Sequence, residues 1–497
     1  MQSFLLQHEF HLKLPYTLIL SIPLLVDFFD SPEAYSSREQ SFPQNPQSRK
    51  WSKSEWLVAA IGIVLIVFSF SVSVDSTSDS SVGRSDLVKL TLSSKAKERG
   101  AFCLDGSLPG YHFHNGSGSG SKSWLLFLEG GGWCDTIESC SSRAMTSLGS
   151  SSFFEHKVAF QGVLSSDPSQ NPDFFNWNRV LIRYCDGASF AGHPEAEFKN
   201  ETRLFFRGQL IWEAIMDELL SMGMSHAKHN LSFCLAIPLM FLFVLHIFDK
   251  LQAILTGCSA GGLATLIHCD YFRDNLPRDA AVKCVSDGGY FLNVYVNCLL
   301  SQVTNFSQHL CLCCSRVSLR KPDVLGNPTM ESFFHDVVTL QDVDKSLDQN
   351  CVAKMEPSKC MFPREFIKNI RTPVFLVNAA YDYWQIQNVL VPDSADIDEY
   401  WAMCRLNIQE CDAAQMKVLH GFRSSLMDAI GEFHENKEGG MFINSCNSHC
   451  QIRESSWHSP TSPRIENKTI AESVGDWYFN RKPVKLIDCP YPCNTSC

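Results

Sequence analysis

The chain has 497 residues, of which 45% are apolar, 19% charged and 11% aromatic. That composition supplies one large hydrophobic core or two smaller ones and excludes a disordered, collagen-like or coiled-coil protein. The 42 basic and 53 acidic side chains leave a formal charge of -11, which argues against a nucleic-acid partner held by bulk electrostatics.

All 21 cysteines lie between Cys103 and Cys497. A cysteine-free start before a cysteine-rich body points to a cytosolic or membrane segment followed by an oxidising compartment. Residues 1–55 read as a cytosolic tail. Trp56 to Val74 is free of formal charge and nearly long enough for a hydrocarbon core of about 30 Å. Arg49, Lys50 and Lys53 precede it, and Asp75 and Asp79 follow, so the positive-inside rule puts the body outside the cytosol. The stretch exceeds the roughly 7–15 apolar residues of a cleaved signal and is read as a signal anchor. Residues 75–92 read as a Ser- and Asp-rich linker. Sequons at Asn115, Asn200, Asn230, Asn305, Asn467 and Asn494 agree with a secretory-pathway body.

Residues 93–497 alternate short apolar runs with amphipathic stretches, the pattern of an α/β domain. Strands are predicted at Trp124–Leu128, Arg179–Tyr184, Ala253–Thr256, Val282–Val285, Val374–Asn378 and Gly440–Asn444. Helices are predicted at Leu210–Met222, Leu263–Phe272 and Ala413–Phe433. Two segments break the pattern, about 229–250 and about 294–325. The first contains an uncharged run, Leu231–Phe248, which hydropathy alone would put in a membrane. A span there would separate the glycine run at 130 from the serine at 259. Together the segments hold Cys234, Cys298, Cys311, Cys313 and Cys314; without these, 16 of the 21 cysteines remain, an even number suited to disulfides. Both segments are expected to be insertions foreign to the domain.

Gly257-Cys258-Ser259-Ala260-Gly261 fits Gly-x-Ser-x-Gly between a predicted strand and helix, where a strained turn presents a nucleophilic serine. With Gly and Ser each near roughly 7% of residues, the motif arises by accident in a chain this long about one time in six, so its flanking elements carry the argument. Strand Trp124–Leu128 runs into Glu129-Gly130-Gly131-Gly132-Trp133-Cys134. Backbone N–H groups of Gly131, Gly132 and Trp133, with that of Ala260, are candidates for an oxyanion hole. A phosphate loop would need Gly-Lys-Ser/Thr at this point.

Serine needs a base, and in this fold the order is Ser, Asp or Glu, then His. His449 follows the last strand and is bracketed by Cys446 and Cys450, which are expected to pin its loop by disulfides; a zinc site from the same three residues is the competing reading. His420 and His434 fall on the long helix and are expected at the surface. Asp382 follows strand Val374–Asn378 and is the preferred carboxylate; Asp287, in Asp287-Gly-Gly-Tyr-Phe291, is the rival or a turn residue lining the site.

At these residues the chain resembles the plant pectin acetylesterase family, a carboxylesterase group related to Notum. The matching pieces are Phe127–Cys134, Gly257–Gly262, Asp287–Phe291, Asn378–Gln385 and Asn444–Gln451, within about residues 90–497. The resemblance implies an α/β-hydrolase-like fold with a mostly parallel central sheet, flanking helices and many disulfides. It implies Ser259, Asp382 and His449 as a catalytic triad that removes acetyl esters from homogalacturonan without a metal or other cofactor. Acetylated pectin in the cell wall is then the expected partner, reached through the secretory pathway. Xylan deacetylation, removal of an acyl group from protein, and an inactive wall-binding protein are the alternatives.

Overall fold

Strands that are apolar on both sides are satisfied only in the middle of a sheet covered on both faces. A computed structural model describes residues 87–193, 197–199, 203–225, 251–293 and 323–497. It places Trp124–Leu128, every residue buried, at the centre of a ten-stranded sheet. In chain order the strands are β1 (Leu87–Leu92), β2 (Gly110–His114), β3 (Trp124–Leu128), β4 (Lys157–Ala159), β5 (Asn178–Ile182), a separate hairpin of β6 (Glu197–Lys199) and β7 (Arg203–Phe205), β8 (Gln252–Cys258), β9 (Ala281–Asp287), β10 (Val374–Ala379), β11 (Gly440–Asn444) and β12 (Lys485–Ile487). The sheet order is β12-β11-β10-β9-β8-β3-β5-β2-β1-β4. From β12 to β5 neighbouring strands are parallel; β2, β1 and β4 extend the sheet antiparallel.

The longer helices are α1 (Ile137–Ala144), α2 (Gly208–Leu219), α3 (Ala260–Asp274), α4 (Thr329–Gln341), α5 (Ala413–Ala429) and α6 (Ile470–Tyr478). On one face of the sheet, α2 through α5 bury Ile211, Trp212, Leu263, Phe334 and Phe422 against Leu126 and Leu128. On the other, α6 buries Ile470, Val474 and Trp477 with Leu125, Phe127 and Phe375. The period-2 alternation of β3 thus feeds two cores. Thr469 and Glu472 form a capping box that fixes the start of α6.

The predicted strands at 124–128 and 440–444 have the observed ends. Elsewhere the structure departs from the expected elements. Leu87–Leu92, expected as linker, is a strand of the sheet, lying between β2 and β4 and pairing with both. Asp323 and Val324, inside the second expected insertion, are held by the domain: the Val324 N–H donates to Leu390 O, and buried Asp323 caps the turn into α4. The helix expected over 413–433 ends at Ala429, with a short turn from Gly431 to His434. Helices α1, α4 and α6 and strands β2, β4, β6, β7 and β12 were not foreseen.

The cysteines expected to pair do so. Sixteen form eight disulfides: 103–185, 134–140, 258–450, 269–284, 351–360, 404–411, 446–497 and 489–493. The expected tail, anchor, residues 75–86 of the linker, and the segments 229–250 and 294–322 lie outside the described residues. No described helix is long and apolar enough to cross a membrane.

Candidate active site

The chain runs from β3 outward to β5, then returns to the other side of β3 as β8 and continues to β9. The carboxyl ends of β3 and β8 therefore flank a switch point, where an open α/β sheet leaves a crevice. The glycine run follows β3, and Ser259 follows β8.

Ser259 sits between β8 and α3 with φ 59° and ψ -126°, a conformation rarely open to a side-chain-bearing residue and costly to hold. Its N–H donates to Asp287 O at 2.9 Å. A Cβ on Gly261 would lie 2.1 Å from Leu128 O, and one on Gly130 would lie 2.3 Å from Cys258 O and 2.9 Å from Ser259 Cβ. Only glycine at both positions allows the end of β3 to lie against the serine turn.

Among the described residues, no hydrogen bond uses the N–H of Gly131, Gly132, Trp133 or Ala260. The loop holding the first three is fixed from outside. The Tyr184 hydroxyl donates to Gly132 O (2.8 Å) and accepts from Ser189 N–H (2.9 Å), while Trp133 Nε1 donates to Ser189 Oγ (2.8 Å). Gln341 Nε2 donates to Cys134 O (2.7 Å). Glu129, at the root of the loop, accepts from Arg183 Nε (2.8 Å). Sequence reasoning missed Tyr184, Ser189 and Gln341. The one local signal was Tyr184-Cys-Asp-Gly-Ala-Ser-Phe190 following a strand, a segment in which Ser189 and Phe190 hold φ values of 56° and 57°.

His449 lies in the loop after β11, 5% exposed. Its Nδ1 is 2.7 Å from Oδ2 of Asp382, which is fully buried after β10 and accepts Gln385 N–H through Oδ1 at 3.0 Å. A carboxylate at that distance assigns the proton to Nδ1 and leaves Nε2 as the acceptor. Nε2 is buried and has no partner among the described residues; Ser259 Oγ is not hydrogen-bonded to it. Burial works against the charged ring, but the Asp382 charge and hydrogen bond, with Asp287 beyond, raise its pKa above the ordinary value of 6.5. Trp384 stacks on the imidazole with centroids 5.8 Å apart, and Tyr383 and Phe291 flank it.

The disulfide Cys258–Cys450 joins the residue before Ser259 to the residue after His449, with Cα atoms 5.6 Å apart. Cys446 bonds Cys497. The sulfurs that the zinc reading required are therefore bonded to other sulfurs, and none is a thiolate that could hold a metal. The same holds for Cys489 and Cys493 beside Asp488. The other histidines stand apart: His420 Nδ1 pairs with the Tyr381 hydroxyl at 2.8 Å, and His434 is exposed. Asp287 does not contact the imidazole by hydrogen bond; its Oδ2 accepts the N–H groups of Gln451 and Ile452. Burial drives its carboxyl up to about 7, against the pull of those two donors and of His449.

The fold is shared with a solved structure described as the Wnt deacylase Notum from Drosophila: TM-score 0.61 and 22% identity, covering 83% of this chain and 100% of that one. The domain thus has an α/β-hydrolase-like fold. The family described as Pectinacetylesterase matches residues 82–235, 246–311 and 295–497. Pectin acetylesterase 4 of Arabidopsis thaliana is 77% identical over 453 residues, 91% of this chain and 98% of the relative. Pectin acetylesterase 5 of the same plant is 71% identical over 459 residues, 90% and 96%. Palmitoleoyl-protein carboxylesterase NOTUM of Mus musculus is 26% identical over 418 residues, 80% and 69%. The chain belongs to the pectin acetylesterase family and is a carboxylic ester hydrolase.

Proposed function

We propose that the chain removes acetyl groups from the galacturonate residues of homogalacturonan through Ser259, His449 and Asp382. Ser259 Oγ attacks the acetyl carbonyl carbon while His449 Nε2 takes its proton. The carbonyl electron pair moves onto oxygen, which is held by N–H groups drawn from Gly131, Gly132, Trp133 and Ala260. The tetrahedral centre collapses, the sugar oxygen leaves with the proton from Nε2, and Ser259 carries the acetyl group. Water then attacks that ester, Nε2 accepts its proton and returns it to Oγ, and acetate departs. Asp382 keeps the ring in the Nδ1–H tautomer and stabilises its charged form.

The observation that carries this reading is the 2.7 Å contact of His449 Nδ1 with Asp382, which leaves Nε2 buried and without a partner among the described residues, on the loop tied by disulfide to the serine turn. A short acyl group is favoured over a long one by the rings beside the site. Trp133 packs edge-on against Phe291 (4.9 Å) and Phe334 (5.0 Å), both fully buried. Eight disulfides suit an oxidising compartment, in keeping with delivery to the cell wall behind the 56–74 segment as anchor.

The test is acetate release by the purified protein from acetylated homogalacturonan and acetylated xylan, and turnover of acetyl against octanoyl esters. Pectin and acetyl are expected to be preferred, and Ser259→Ala is expected to abolish release. Undiminished release by that variant would rule out the mechanism; preference for xylan or octanoyl would overturn the substrate.

A further inference from the structure

Asp287 takes no part in the acyl-transfer steps above, yet it touches the segments that carry all three reacting side chains. It ends β9, fully buried. Its carbonyl accepts the Ser259 N–H at 2.9 Å. The N–H of Gly288, which follows it, donates to Val377 O on β10, the strand leading to Asp382, at 2.9 Å. Its Oδ2 accepts Gln451 N–H at 2.6 Å and Ile452 N–H at 2.9 Å, just past His449. Oδ1 is buried and has no partner among the described residues.

Disulfides at Cys446 and Cys450 tie the histidine loop on either side of the ring, but each holds the chain through a side chain only. Two hydrogen bonds from the backbone just past Cys450, both to one carboxylate oxygen, fix the peptide groups there and so aim the ring. Hydrogen bonds of this kind are short and strong when the acceptor is charged.

We infer that Asp287 is a positioning residue of the ester-hydrolysing site: through its carbonyl and its Oδ2 it sets the placement of His449 Nε2 relative to Ser259 Oγ. The inference rests on the proposed roles of Ser259 and His449. It separates Asp287 from Asp382, the carboxylate that meets the ring itself.

The test compares Asp287→Asn, Asp287→Ala and Asp287→Glu in the full chain, with kcat expressed per serine labelled to completion by a fluorophosphonate. Asn keeps an acceptor oxygen for both N–H groups and is expected to retain most of the turnover. Ala removes the acceptor, and kcat per labelled site is expected to fall about 10²-fold, the scale of a misplacement near 1 Å, with KM little changed. Glu keeps the charge but pushes the loop away by one methylene and is expected to lose kcat as Ala does. It also serves if the Ala variant does not fold.

A residue that only supports the fold would lower the number of labelled sites and leave kcat per site unchanged, and that result would overturn the inference. So would Glu outperforming Asn, which would make charge rather than placement the active property. If Ser259→Ala still releases acetate, the site assignment itself has failed. If Ser259→Ala is inactive while Asp287→Ala turns over normally per site, only the role of Asp287 falls.

Discussion

His449 is held by two opposing influences, and their balance sets where the site works. Burial disfavours the imidazolium, while Asp382 and, more distantly, Asp287 favour it, and the pKa is raised above 6.5. A general base acts only when neutral, so the rate falls as pH drops through that raised value. The acid limb of kcat/KM is expected above pH 6.5. Asp382→Asn withdraws the charge, so the limb is expected to move to lower pH, with kcat down by about 10⁴ as the tautomer is lost. A wild-type limb below the ordinary histidine value, or one unmoved in the variant, would contradict the electrostatic account. Tyr383 also flanks the ring, and burial, with the charges of Asp382 and Glu454, raises its hydroxyl above the ordinary value.

At the scale of elements, the site depends on how closely two strand ends approach. The serine turn and the glycine loop touch because Gly130 has no side chain. A methyl there would meet Cys258 O at 2.3 Å. Gly130→Ala is expected to push the loop off the turn and cost about 10²–10³ in kcat, the loss seen when an oxyanion donor is removed. The steric strain adds about 1–3 kcal/mol of destabilisation. Initial rates with a small acetyl ester, and melting followed by circular dichroism, check both; wild-type kcat would show that the approach is not needed. The loop's other supports come from far along the chain. Tyr184 belongs to the turn after β5, and Gln341 ends α4. A local reading of the glycine run therefore offers candidate donors without what holds their loop.

The whole domain is built around sixteen paired cysteines and one mostly parallel sheet. All sixteen cysteines of the eight disulfides lie outside residues 229–250 and 294–322. The family match breaks between residues 235 and 246, and two of its stretches overlap over 295–311. A chain lacking both segments is expected to fold with the same disulfides and to release acetate at least as fast. Acetate release and thiol titration of the shortened protein check this, and loss of folding would make the segments part of the domain. The disulfide Cys258–Cys450 closes a separation of 192 residues; cross-links of this kind commonly stabilise by about 2–4 kcal/mol.

From its sequence alone the protein yields the buried strand Trp124–Leu128, the strand-turn-helix around Ser259, the order Ser259, Asp382, His449, and the even set of cysteines. The strand and the serine turn are local marks, a run of apolar side chains and a serine with a glycine two residues to either side; the cysteines need only a count, and the order of the three side chains comes from the resemblance. Which cysteine meets which is decided only in three dimensions, as is the placement of Asp287, whose Oδ2 meets Gln451 across 164 residues of chain. The physical reason is that a hydrogen bond or disulfide between distant segments leaves no periodic mark on either one. The strand Leu87–Leu92 escaped for a related reason: mostly exposed and next to a Ser- and Asp-rich stretch, it becomes a strand only because β2 and β4 supply its hydrogen bonds.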